Sequence, residues 1–262
     1  MVLIIYTDFV FDEVNSRNKG LYLVRVNDEE MFFSPIYGNR DIIEDRNLKK
    51  DYNYFYSIRK NPIEFELTFC LINDLWTQQK KYDIFNWLVK DKYCEFFTLD
   101  KTDRIFYITC IDQGNLMTNG NNEGYITMQF RSLYPYAISP VYTKEYDLAG
   151  ITSPTIIDIV NLSNVDQYYY PEIEFKLVGD NTNFKLKNLT VNEEYIEFSN
   201  LSENESVYIN NENKQILSSV ENSYPINKMT NKQWLRLATG VNKIEISGKC
   251  IFKTRMKFPL YI

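Results

Sequence analysis

The chain has 262 residues, 44% of them hydrophobic and 24% charged, with a net charge of −6 and no histidine. The missing imidazole excludes Ser–His and Cys–His catalysis and removes the usual zinc ligand, while the acidic balance argues against general nucleic-acid binding, which needs a basic face to release counterions. A polar channel that passes DNA without holding it stays compatible with that charge.

The opening MVLIIYTDFVF (Met1 to Phe11) reads as a strand, with no basic leader to make it a signal peptide. Asn15 to Gly20 is a turn, and Leu21 to Val26 alternates again. FFSPIYGNRDII reads as loop, punctuated by Pro35 and Gly38. In NPIEFELTFCL the residues Ile63, Phe65, Leu67, Phe69 and Leu71 share one face of a strand. The period then changes. Asn73 or Asp74 caps a helix that runs through Trp76 to about Lys90, with Ile84, Trp87 and Leu88 on one row. Strands return at Cys94 to Leu99 and Arg104 to Ile111. After a polar loop holding Asn119-Gly120, Gly124 to Leu133 makes the return strand of a long-looped hairpin.

A chain of this length is near the size at which one core divides. Gly150, Pro154 and mixed charge break the periodicity after Pro140, so the expected division is a first domain over 1–140, a linker over 141–154 and a second domain over 155–262. The second half holds short strands, many at 8–12-residue spacing, the pattern of a β-sandwich. They are expected at Thr155 to Asn161, Glu172 to Val178, Phe184 to Leu189, Tyr195 to Phe198, Ser206 to Ile209, Gln215 to Leu217, Trp234 to Leu237, Asn242 to Ser247 and Lys249 to Phe258. The last two read as a hairpin that closes the sandwich. One face of its final run carries Cys250, Phe252, Thr254, Met256 and Phe258. The other carries Ile251, Lys253, Arg255 and Lys257, a row suited either to an anionic partner or to protecting a sheet edge. The 21 Tyr and 17 Phe favour strands throughout. The cysteines Cys70, Cys94, Cys110 and Cys250 lie in or beside apolar runs without C-x-x-C spacing, as small buried thiols do. No apolar run approaches a membrane span. A mainly β protein follows, barrel-like or sandwich-like with one α-helix in its first part.

Four passages carry a family resemblance: FVFDEVNSRNKGLYLVRV; NPIEFELTFCL with the helix ending IFNWL; DRIFYITCI…GYITMQFRSLYPYAIS; and PTIIDIVN…YPEIEFKLVG…SVYINNENKQI…WLRLATGVNKIEISG. In order and spacing they resemble the distal tail proteins of long-tailed bacteriophages, the Dit family of siphophage-type baseplates. The resemblance implies an N-terminal ring-forming belt domain and a C-terminal galectin-like β-sandwich. It implies a hexameric ring at the tail tip that meets the tail tube, the tail hub or tail-associated protein, and receptor-binding or baseplate proteins, with DNA passing through the lumen. It implies no enzyme activity, cofactor or metal.

Two residue groups are singled out. Tyr52, Tyr54, Tyr56 and Arg59, in YNYFYSIRK, are candidates for a subunit interface, since Tyr and Arg are enriched at interface centres. The alternative is that these tyrosines pack within their own domain. Trp234 and Arg236 alternate onto one face and are candidates for stacking on and hydrogen-bonding a sugar, the basis of a second reading as a carbohydrate-binding module for host-wall polysaccharide. Against that, galectin sugar sites use histidine beside arginine and tryptophan, and Trp234 has the simpler reading of packing near the sandwich. A third reading, glycoside hydrolysis, needs two carboxylates flanking a substrate. Glu172 and Glu174 share a strand face, more simply a solvent face.

Overall fold

A computed structural model describes residues 3–27, 38–47, 49–192 and 194–261. The Pro35 loop reading and the first two residues of the opening strand lie outside the described residues. The chain divides into two compact units, residues 1–139 with 260–262, and 140–259.

The first unit is built on one antiparallel sheet. Its strands run in the order Leu3–Thr7, Leu21–Asn27, Glu64–Leu71, Gly124–Ser132, Phe106–Cys110, Cys94–Thr98, Phe9–Phe11 and Val14–Asn15, and Asn115–Thr118 pairs beside Gly124–Ser132. The expected opening strand is therefore two. Only Asp8 separates Leu3–Thr7 from Phe9–Phe11, yet the two stand near opposite ends of that order. So short a link requires the sheet to curl until its ends approach, which makes it barrel-like.

Alternation supplies the apolar lining. Phe9, Phe11, Phe69, Phe96 and Phe130 are buried, together with Trp76 and Trp87. Phe9 stacks on Trp87 at 5.6 Å, and the Trp87 indole N–H donates to the Phe11 carbonyl at 3.0 Å. Each such side chain taken from water contributes about 1.5–3 kcal/mol.

The helix spans Gln78–Leu88, shorter than expected at its start. Asn73 takes a left-handed backbone, and Trp76 donates its backbone N–H to the Asn122 carbonyl, so the chain is still in loop there. Thr77 is the cap, its hydroxyl accepting from the Lys80 N–H at 3.2 Å. Trp76 thus precedes the helix, buried, with its indole donating to the Gly124 carbonyl at 3.0 Å.

The second unit is a two-sheet sandwich. One sheet runs Tyr142–Leu148, Cys250–Met256, Glu172–Leu177, Ser206–Asn210 and Gln215–Ser218. The other runs Thr155–Asn161, Gly240–Ser247, Phe184–Asn188 and Glu194–Phe198. Their inner faces meet where Phe175 of the first stacks on Phe184 of the second at 3.7 Å.

Three expectations are corrected here. The stretch read as linker contains the strand Tyr142–Leu148, an edge strand of seven residues in which only Leu148 is buried and Lys144 interrupts the inward row, so its alternation is hard to read. Gly240–Ser247 and Cys250–Met256 are not a hairpin; they lie in different sheets. The chain changes sheet at Gly248, whose φ is +108° and where a Cβ would stand 2.4 Å from the Asn183 carbonyl oxygen.

Trp234 to Leu237 is not a strand. Leu235 and Leu237 are buried as a strand pattern would have them, but backbone pairing is confined to a bridge between Leu237 and Tyr169, and side-chain amides serve Leu235 and Arg236. Asn211 Oδ1 accepts from the Leu235 N–H at 2.8 Å, and Asn188 Nδ2 donates to the Arg236 carbonyl at 2.8 Å.

The sandwich guards its edges. Lys144 sits on the inward-facing row of the edge strand, opposite Thr254, with its ammonium 4.7 Å from the Tyr146 ring centre. Tyr146 Oη in turn donates to the Asp158 carbonyl at 2.9 Å on the facing edge. At the far side, Thr230 donates to the Glu197 carbonyl and Ser199 to the Lys228 carbonyl, so the segment around Met229 covers the edge of Glu194–Phe198.

Candidate assembly interface

Between Gly38 and Asn61 the chain leaves the curled sheet and makes a separate two-stranded hairpin of Arg40–Asp45 and Tyr54–Lys60. The sequence reads Arg40–Ile43 as loop because its apolar residues, Ile42 and Ile43, are adjacent and show no period. The hairpin's root is tight. A Cβ on Gly38 would lie 2.0 Å from the Asn61 carbonyl oxygen. The Asn61 N–H donates to the Asn39 carbonyl at 2.8 Å, and Asn61 Nδ2 donates to Asp41 Oδ2 at 2.7 Å.

A two-stranded hairpin alone is marginal in water. This one has no core of its own, for every residue of Arg40–Asp45 and Tyr54–Arg59 is exposed. Ile42 is 64% exposed, Phe55 and Tyr56 are each 61%, and Tyr52 is 54%. Tyr52, Tyr54, Tyr56 and Arg59 are thus gathered on one element and do not pack into the domain interior. Polar bonds hold the arms instead. Tyr56 Oη donates to Asp45 Oδ2 at 2.8 Å, and that carboxylate holds the phenol above its ordinary range. Asn53 Nδ2 donates to Glu44 Oε1 at 2.7 Å, and the Tyr52 ring meets Tyr54 edge-on at 6.0 Å. Ile42, Ile43, Phe55 and Ile58 are exposed on the same hairpin, and sequence reading missed them. An F-x-x-I spacing beside tyrosines was the available signal, but alternation alone assigns such residues to a core.

The other candidates are differently placed. Trp234 is half-buried. Arg236 is already engaged, forming a bidentate pair with Glu194, through Nε to Oε2 at 2.9 Å and through its second amino group, and lying 4.3 Å from the Tyr168 ring centre. The Glu194 carboxylate raises the guanidinium above its usual range. The row Lys253 and Arg255 is flanked in register by acids: Glu145 and Glu174 stand opposite Lys253, and Glu172 stands opposite Arg255. Arg255 pairs with Glu172 at 3.4 Å. That face is a cross-strand charge ladder, and Glu172 and Glu174 belong to it. Burial pushes the Cys250 thiol up to about 12 and raises the Cys70, Cys94 and Cys110 thiols as well, so none is primed as a nucleophile.

Two family models match the chain, a phage tail protein N-terminal domain over residues 4–132 and a phage tail C-terminal domain over residues 141–255. The chain belongs to this family of phage tail proteins. A relative of this tail protein is the "SPbeta prophage-derived uncharacterized protein YomH" of Bacillus subtilis (strain 168), 25% identical over 253 residues that cover 95% of this chain and 96% of the relative. Among solved structures, the SPP1 Dit (gp 19.1) protein superposes with a TM-score of 0.68 at 12% identity, covering 97% of this chain and 99% of that one. Its structure is described as a paradigm of the hub adsorption apparatus in phages infecting Gram-positive hosts. The tail protein therefore has the fold of a distal tail protein, as the resemblance in its sequence implies. Family and fold are those of structural tail proteins, which makes the chain a virion component.

Proposed function

We propose that this tail protein is the repeating subunit of a ring at the tail tip, with six copies joining the tail tube to the hub and to receptor-binding or baseplate proteins. In this reading the first unit makes the ring, the second supplies a galectin-like sandwich for receptor-binding or baseplate proteins, and DNA crosses the lumen without specific binding. Subunits made in the host cytoplasm then enter the virion by docking to one another. The observation that carries the proposal is the hairpin from Arg40 to Lys60, which exposes Tyr52, Tyr54, Phe55, Tyr56 and the three isoleucines Ile42, Ile43 and Ile58 to water. Monomers seldom keep so many large apolar side chains of one element uncovered. A ring needs two different complementary patches on each subunit, and a projecting arm meets that need as one of them. Each apolar side chain of the hairpin that a neighbour covers contributes about 1.5–3 kcal/mol before the costs of association. Light scattering on the purified protein tests the proposal: particles near six times the 31.2 kDa chain mass are expected. Monomers at every accessible concentration, with no rings in electron micrographs, would overturn it.

A further inference from the structure

The two faces of the hairpin are not equivalent. Arg40 stands opposite Lys60, Ile42 opposite Ile58 and Glu44 opposite Phe55, while Asp41 stands opposite Arg59, Ile43 opposite Ser57 and Asp45 opposite Tyr54. The register shifts by one residue between Ile43 and Glu44, which leaves Tyr56 as the extra residue. Side chains alternate along a strand, and the two bulge residues share a side. One face therefore carries Arg40, Ile42, Glu44, Phe55, Ile58 and Lys60. The other carries Asp41, Ile43, Asp45, Tyr54, Tyr56, Ser57 and Arg59, and the Tyr56–Asp45 hydrogen bond across it agrees with that division.

The second face sets unlike charges opposite each other in register, Asp41 across from Arg59, and joins Tyr56 to Asp45 by a hydrogen bond. The first face differs. Its middle is three uncovered apolar side chains, and at its root two cations face each other across the strands, an arrangement that disfavours the hairpin. Among the described residues, no carboxylate of the chain pairs with Arg40 or Lys60. A like-charged pair next to an apolar strip is complementary to an apolar surface bordered by a carboxylate. A chain with 35 acidic residues against 29 basic ones has carboxylates to offer from a second copy.

Resting on the ring reading, we infer that the Arg40–Ile42–Phe55–Ile58–Lys60 face is the one that docks, and that its occupant is a carboxylate-bearing apolar surface of the neighbouring copy. The tyrosine face stays toward solvent or other tail components.

The test is assembly of the full chain followed by light scattering over a concentration series, in low and high salt. Lys60→Glu places opposite charges across the root, so the hairpin itself gains stability, read as slower proteolysis at the arm. Its assembly midpoint is expected to rise by roughly 30-fold or more, since one member of a close intermolecular charge pair is reversed. Ile42→Ser combined with Phe55→Ser is expected to weaken assembly as well, and salt to weaken the wild type. Tyr54→Ser and Arg59→Ala, on the other face, are expected to leave the midpoint within about threefold, as near-neutral peripheral contacts do. A wild-type ring with an unaffected Lys60→Glu, or one broken by Tyr54→Ser but not by the Ile42/Phe55 pair, overturns the inference and leaves the ring reading standing. A wild-type protein that stays monomeric overturns both.

Discussion

Gly38→Ala tests whether the root of the hairpin sets the direction of its arms. The added Cβ would stand 2.0 Å from the Asn61 carbonyl oxygen. An ordinary carbon–oxygen contact is about 3.3 Å, so the root must open by about 1.3 Å. Paired strands lie about 4.8 Å apart, which turns that opening into a rotation of roughly 15°. The first arm, Arg40–Asp45, has six residues. At about 3.4 Å per residue the rotation displaces the hairpin's far end by roughly 5 Å, more than a packed contact tolerates. The local cost to folding is about 1–3 kcal/mol, the range for forcing an extra methyl into a filled site. Circular dichroism melts are therefore expected to show a folded protein with a modestly lowered midpoint, and light scattering to show loss of assembly. A variant that assembles at the wild-type concentration would refute the reasoning, because the arm's aim would then not depend on the root. A variant that fails to fold would also refute it, because the root would then be part of the core.

Other positions give sharper outcomes for stability. Trp87→Ala removes the ring stacked on Phe9 and the indole bond to Phe11, with an expected cost of about 3–5 kcal/mol in denaturant unfolding. Glu205 is buried, and although burial pushes its carboxyl up, donation from Ser218 and the Ser202 N–H, the nearby Lys228 ammonium and the Ser223 hydroxyl together hold it below its ordinary value. Its contribution is thus complete above the unfolded carboxylate range, near pH 4.3, and is lost as pH falls through the lower folded value. Glu205→Gln is expected to cost about 1–3 kcal/mol at neutral pH and to flatten the acid limb of stability against pH; an unchanged acid limb would contradict this. Arg236→Ala breaks a partly exposed ion pair worth about 1 kcal/mol or less. Neither it nor Trp234→Ala is expected to alter retention on host-wall polysaccharide, and a wild-type retention lost in both would favour a sugar site.

Where the chain obeys one period, the sequence is sufficient. Thr155–Asn161 matches its expected limits because Ile157, Ile159 and Asn161 point inward while Ile156, Asp158 and Val160 point out. Glu64–Leu71 and the row of Ile84, Trp87 and Leu88 follow the same logic. The failures have other causes. Tyr142–Leu148 is an edge strand whose inward row includes a lysine, so its pattern reads as a linker. Trp234–Leu237 alternates correctly, but asparagine side chains rather than a neighbouring strand satisfy much of its backbone. At Gly248 a glycine that reads as a hairpin turn instead carries the chain to the opposite sheet, a choice set by the close approach of Asn183. The candidate interface was half legible. Its tyrosines are conspicuous in sequence, but the paired arm is not, since Ile42 and Ile43 are neighbours and both are exposed. Nor does sequence say which face of the hairpin an aromatic serves, because the one-residue shift between Ile43 and Glu44 moves Phe55 beside Ile42.

The most direct measurement is the absolute mass of the purified full-length protein by light scattering, with negative-stain images from the same fraction. The account predicts a closed ring of six chains that falls apart when Arg40 and Lys60 are both replaced by glutamate. A single folded chain at the highest soluble concentration, with the hairpin still exposed to protease, would contradict it.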